Sequence, residues 1–206
     1  MKRSTSSSSQ ALRFFARLQE ALARVAYPAE DRLGRVERVC AVDTAYSGDL
    51  CAAAAVVYEV PSGETIEEKV VQFRGRRTPY IPGFLILREG PPLLETLETV
   101  TNTYDLLLVD GHGRAHPRRC GLATMIGFVA GRAAVGVAKS LLTGVVRDTE
   151  VVDGGEVVGL AGRKAYYSQG YGVSFNDLRK VYEMFEGAYP EALRHADKLS
   201  KTAVKK

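Results

Sequence analysis

The sequence predicts an α/β fold: one mixed sheet, an antiparallel three-stranded meander leading into parallel strands, flanked by helices. Three observations predict it. Strand-like runs at 37–43, 51–60 and 65–73 are joined by Ser47-Gly48-Asp49 and Pro61-Ser62-Gly63, turns short enough for antiparallel neighbours. Two near-continuous apolar runs follow, at 104–110 and 133–139, the mark of centre strands buried on both faces. Helical patterns lie between and after them, so the order β-β-β-α-β-α-β-α calls for crossover connections and helices on the sheet's faces.

The elements can be justified in order. Residues 1–9 are Ser-rich and read as a disordered N-terminal tail. Leu12, Phe15, Leu18, Leu22 and Val25 have helical spacing over 10–27, and Pro28 ends that helix. After the meander comes RRTPYIPGFLILREG (76–90), with two prolines and two glycines among six large apolar side chains. No helix or central strand can run through all of it, yet it is too apolar for a plain surface loop. A helix is expected from about 91 to 101, with proline in its first turn, and another from about 119 to 130. Residues 145–162 read as a hairpin around Asp153-Gly154-Gly155. A helix at 174–185 has Ser174 as N-cap and Asp177 completing a capping box, and a last helix runs from about 190 to 199. The basic tail, 201–206, is expected to fray. The 206 residues thus give one domain at 10–200 between two tails.

Composition narrows the function classes. The chain is 46% hydrophobic and 25% charged, with a formal net charge of +4, which permits an anionic partner without demanding one. Cys40, Cys51 and Cys120 have neither zinc nor redox spacing and read as buried small hydrophobes. No signal peptide and no apolar run long enough to span a membrane is visible, so a reducing, cytoplasmic setting without a membrane partner is expected.

Two apolar strands end in a bare aspartate, Asp43 and Asp110. Burying a carboxylate costs free energy unless something compensates. Loop capping or an Arg partner explains either one alone; two, on strands that could be neighbours, favour a divalent cation, with Glu89 as a candidate third ligand. Magnesium suits such oxygen donors and leaves positions for water and a phosphate oxygen, and paired ions about 3.5–4 Å apart are one such arrangement. Lys139 also ends a buried strand, where it could orient water or neutralise a phosphate; snorkelling to the rim is the plainer alternative. His112 and His116 offer a weaker zinc alternative, because Gly111, Gly113 and Pro117 forbid a regular helix between them. Arg74, Arg76, Arg77, Arg118 and Arg119 flank the site and could contact phosphates.

The runs VDTAY (42–46), PYIPGFLILREGPPLLE (79–95), DLLLVDGHGRAHPRRCGLAT (105–124) and VGVAKS (135–140) resemble the endonuclease V family over about residues 36–180. The resemblance implies a ribonuclease H-like fold. It implies magnesium-dependent hydrolysis, with manganese as substitute, at the second phosphodiester bond 3′ to hypoxanthine, leaving 3′-hydroxyl and 5′-phosphate ends in the service of DNA repair. Asp43, Glu89 and Asp110 match the family's metal carboxylates, Lys139 its catalytic lysine, and His116 a histidine near the phosphate. Tyr80, with Pro82 and Gly83, matches a wedge that fills the gap left by an extracted base. Gly83, Leu85 and Gly111 are expected to read hypoxanthine through backbone groups, because a stacked duplex hides the base edge. DNA containing deoxyinosine or RNA containing inosine is the implied partner, taken by a monomer. One departure stands out. Many members carry Ser-Pro-Gly-His where this chain has Ser168-Gln169-Gly170-Tyr171, which puts one contact near the metal site in doubt. Another ribonuclease H-like nuclease without a base wedge, or a binding module that has lost activity, are the rival classes.

Overall fold

The computed structural model describes residues 4–75 and 78–205. Among them, one nine-stranded sheet has the order β3-β2-β1-β4-β5-β9-β8-β7-β6. Strands β1 (Arg38–Ser47), β2 (Leu50–Glu59) and β3 (Glu64–Arg74) form the expected antiparallel meander. Strand β4 (Leu106–Asp110) pairs parallel with β1, and β5 (Ala134–Ala138) pairs parallel with β4. Strands β6 (Val145–Arg147), β7 (Glu150–Asp153) and β8 (Glu156–Ala161) extend the sheet as antiparallel hairpins, the β7–β8 turn at the expected Gly154-Gly155. Strand β9 (Tyr166–Gln169), four residues of mixed character without an alternating signal, links that extension to β5.

Helices cover both faces. Strand side chains alternate, so each face carries every second residue. Val39, Ala41, Leu106, Leu108, Val135 and Val137 pack against α4 (Phe175–Met184) and α5 (Glu191–Ala203) through Leu178, Val181 and Leu193. Cys40, Val42, Leu107 and Val109 face α2 (Ile86–Glu98) and α3 (Leu122–Ala130) through Leu93, Leu97 and Ile126. Ser174 caps α4 in the expected capping box with Asp177. All three cysteines are free and buried.

Four expectations need correction. Helix α1 spans Ser4–Ala23, so residues 4–9 of the expected disordered tail are helical, while residues 1–3 lie outside the described residues. Serine costs only about half a kcal/mol relative to alanine in a helix, little enough for a strong amphipathic segment to propagate through it. The basic tail does not fray from 201: α5 continues to Ala203, and Val204 is buried against Ala45, Leu50 and Ala52. Helix α2 begins five residues early and holds Pro91 and Pro92 inside it. Pro92 leaves the Arg88 carbonyl without its helical donor; the Tyr46 hydroxyl donates to that carbonyl instead, at 3.2 Å. Glu89 therefore sits on the helix rather than ahead of it. Tyr171 adjoins the start of β5, through Ala134, the end of that strand remote from Lys139. Its ring packs edge-on against Phe128. The departure from the family pattern thus falls outside the metal site.

Candidate active site

Strand register builds the centre. Val42 pairs with Val109 in the parallel β1–β4 ladder, so the next residues, Asp43 and Asp110, emerge together. Asp110 pairs with Val137 in the β4–β5 ladder, and Lys139 follows just past the end of β5. The two-residue period puts 39, 41 and 43, then 106, 108 and 110, then 135, 137 and 139 on one face. That is the face covered by α5. Ligand sites in sheets with parallel strands fall at the strands' carboxyl ends, as here.

Helix α5 supplies a residue that the sequence reading missed. One oxygen each of Asp43, Asp110 and Asp197 lies within 4.8 Å of the others. Lys139 Nζ donates to Asp110 Oδ2 at 3.0 Å and to Asp197 Oδ1 at 2.8 Å. Lys201, one turn on from Asp197, donates to both of its oxygens at 2.8 and 2.9 Å. Small residues make the approach of α5 possible: Ala196 rests directly on Ala54 and Val56 of β2. The signal was present as the spacing Leu193, Ala196, Asp197, Ser200, an i, i+3, i+4, i+7 stripe in which one member is a carboxylate.

Glu89 reaches the same cavity from α2. Burial, then the charge of Asp43, pushes its pKa up to about 8. Burial, then Asp110, pushes Asp43 up to about 7. Burial works against the charge on Lys139, but hydrogen bonds to Asp197 and the charge of Asp110 outweigh it and hold the ammonium above its ordinary range. Hard oxygen donors crowded enough to disfavour their own ionisation fit a divalent cation. The closest-set carboxylates are Asp43, Asp110 and Asp197, with Glu89, the third member of the expected trio, facing them from α2.

The cavity is about 350 Å³, and it joins Asp43, Glu89, Asp110 and Lys139 to Tyr80, Gly83, Leu85, Gly111 and His116. Pro82 is exposed and outside its lining. Phe84 N donates to Ile81 O at 2.9 Å, closing a turn with Pro82 second and Gly83 third at φ +77°. Proline and glycine suit those two positions of a type II turn. Tyr80, just before the turn, is 54% exposed, so the stiff segment holds an aromatic ring out in solvent. The Gly111-His112-Gly113 break has its own cause: a Cβ at Gly113 would lie 1.9 Å from the Gln169 carbonyl oxygen.

His116, Arg118 and Arg119 are all engaged by partners within the protein. His116 is buried; its Nδ1 accepts from Arg118 N at 3.2 Å, which leaves Nε2 to donate to Gly83 O at 3.2 Å. Burial, then the charge of Arg118, lowers its pKa to about 4, so it is neutral and has no nitrogen free for a phosphate. Arg118 stacks on Phe84, 4.2 Å from the ring centre, and donates to Gly83 O. Arg119 pairs with Asp153 and Glu156. These groups brace the turn at 81–84 and the β7–β8 hairpin. His112 Nε2 donates to Ser140 O at 2.9 Å, and among the described residues the carboxylate group that could hold a metal ion includes neither histidine. Arg74 is exposed at the end of β3, and Arg76 and Arg77 lie outside the described residues.

A 3-2-1-4-5 arrangement with β2 antiparallel to both its neighbours, β1 and β3, and carboxylates at the ends of β1 and β4, define a hydrolytic nuclease with a ribonuclease H-like sheet. The chain belongs to the endonuclease V family, whose family model matches residues 20–198. Endonuclease V of Sulfolobus acidocaldarius is 40% identical over 182 residues, covering 85% of this chain and 88% of that protein. The crystal structure of Streptomyces avermitilis endonuclease V superposes with a TM-score of 0.82 at 31% identity, covering 92% of each chain. The fold is shared as well by Ciona intestinalis endonuclease V, crystallised with a 24-mer DNA containing an inosine followed by a ribo-adenosine (TM-score 0.81, 23% identity, 95% and 98% covered). No helix among the described residues is long and apolar enough to cross a membrane.

Proposed function

We propose that this nuclease recognises hypoxanthine in nucleic acid and hydrolyses the second phosphodiester bond on its 3′ side, leaving 3′-hydroxyl and 5′-phosphate ends, as a monomeric DNA-repair enzyme of the cytoplasm. One observation carries the reading: a single cavity holds both a carboxylate–lysine centre and a turn that presents an aromatic side chain. A nuclease that chose its substrate by helix geometry alone would not need the second feature.

Asp43, Asp110 and Asp197, with Glu89 facing them, would hold magnesium, or manganese in its place. When bound, the ion supplies charge that acidifies water and stabilises the leaving oxygen. Lys139 holds its proton at Nζ, at the rim of the centre, where it can orient the attacking water and offset phosphate charge. Tyr80, stiffened by Pro79 and Pro82, enters the space that an extracted base vacates. Gly83, Leu85 and Gly111 offer backbone groups to the base, and Leu122 and Leu142 line the same cavity with apolar surface.

The test compares strands carrying inosine, uracil or guanine at one position, as DNA and as RNA, with magnesium. Cleavage confined to inosine supports the reading, and the faster of the two polymers names the physiological class. Equal cleavage of all three strands contradicts it. Tyr80→Ala should weaken binding to the inosine strand more than to the guanine strand.

A further inference from the structure

Helix α1 lies outside the layers that build the centre, yet one of its side chains reaches the cavity. Gln19 is 1% exposed and lines the same space as Gly83. Its amide is engaged at both ends. Nε2 donates to Cys120 O at 2.7 Å and to Gly83 O at 3.3 Å, and Oε1 accepts from Arg118 Nε at 2.8 Å. Arg118 and His116 donate to the same Gly83 carbonyl. Three side chains, one of them from α1, thus converge on one backbone oxygen of the recognition turn.

The turn closes on itself through Phe84 N and Ile81 O, but that bond does not orient it against the rest of the molecule. The Gly83 carbonyl does. Tyr80 is more than half exposed, so its aim depends on how the turn is anchored rather than on packing of its own ring. Buried hydrogen bonds of this kind hold a recognition element in one place, so that less order is lost when it binds.

We infer that Gln19 is a positioning residue for base selection: through it, α1 docks on the recognition turn and sets where Tyr80 and the Gly83 backbone meet the nucleic acid. This rests on the part assigned above to Tyr80 and Gly83. Gln19 makes none of the hydrogen bonds that join the carboxylates to Lys139, so it acts on binding and not on bond breaking. Leu22 and Ala26 dock α1 separately, against Cys120 and Met125, so α1 keeps its seat when the amide is removed.

The experiment uses the full chain as Gln19→Met, Gln19→Glu, Tyr80→Ala and the double variant Gln19→Met/Tyr80→Ala. KM and kcat are measured on a single-inosine strand and a matched guanine strand, beside thermal melting. For Gln19→Met, KM on the inosine strand should rise about tenfold, the size expected when a buried hydrogen-bond partner is removed, with kcat unchanged. Gln19→Glu keeps the acceptor for Arg118 but turns an oxygen toward two carbonyls, and should resemble Gln19→Met. Since Gln19 acts in part through Tyr80, the KM rise of the double variant should fall clearly short of the product of the two single effects. Should Gln19→Met melt below the assay temperature, Arg118→Met breaks the same anchor from the other side and should reproduce the KM rise. Wild-type KM in Gln19→Met, a fall in kcat alone, or full additivity would each overturn the inference. Inosine preference in the wild type that survives Gln19→Met removes only the inference. No inosine preference in the wild type removes the proposed function, and the inference falls with it.

Discussion

Asp197 is the residue on which the centre differs most from its sequence-derived outline. Asp43, Asp110 and Lys139 were legible because each ends a buried strand, where a charged group needs a partner. Asp197 was not, because an aspartate four residues before a lysine on an amphipathic helix has the ordinary look of a solvent-exposed pair. Its place on the apolar stripe was readable in the spacing, but only packing brings it beside Asp43 and Asp110. Asp197→Asn should lower metal-dependent nicking at least about tenfold and raise the half-saturating magnesium concentration, as read by titrating the metal in a cleavage assay. Tyr171→His should change neither quantity, because Tyr171 adjoins the far end of β5 and packs on Phe128. His116 offers the converse lesson. Its place after Gly-His-Gly suggested phosphate chemistry, while its two nitrogens in fact join Arg118 to the Gly83 carbonyl.

At the scale of elements, the meander, the parallel pair and the capping box were legible from turn residues, apolar runs and a single Ser–Asp spacing. The limits of α2 were not, because the donor that compensates for Pro92 is Tyr46, on β1 and remote in sequence. The approach of α5 to the sheet was hidden for a related reason. It depends on small side chains meeting across the layer, Ala196 on Ala54 and Val56, and alanine carries no strong pattern. Ala196→Leu should overpack that contact and cost about 1–3 kcal/mol of stability, measured by denaturant unfolding. Because Asp197 is the next residue, the same change should also weaken metal binding, measured by calorimetry.

Across the whole molecule, the crowded carboxylates link pH, metal and stability. Asp43 rises from 3.8 to about 7 and Glu89 from 4.5 to about 8, so the folded chain binds more protons than the unfolded chain between those values. Folding stability is then lost as pH rises through the folded values. Burial lowers the pKa of both His116 and His112, which opposes the effect near pH 6.5, where an unfolded histidine is half protonated; from about pH 7.5 upward both are neutral folded or unfolded and do not mask it. In chelator, the melting temperature should fall from about pH 7.5 to 8.5. Added magnesium should restore it, and most strongly at the upper end, where the carboxylates are already ionised. A melting temperature that rises over this range in chelator contradicts the assignment of these groups.

The most direct measurement is the cut position on a strand with one inosine, in magnesium, for the wild type and Asp110→Ala. One product is expected from the wild type, ending at the second phosphodiester bond 3′ to inosine with a 3′-hydroxyl, and none from Asp110→Ala. Cleavage at other positions, equal cleavage of a guanine strand, or full-rate cleavage by Asp110→Ala would contradict it.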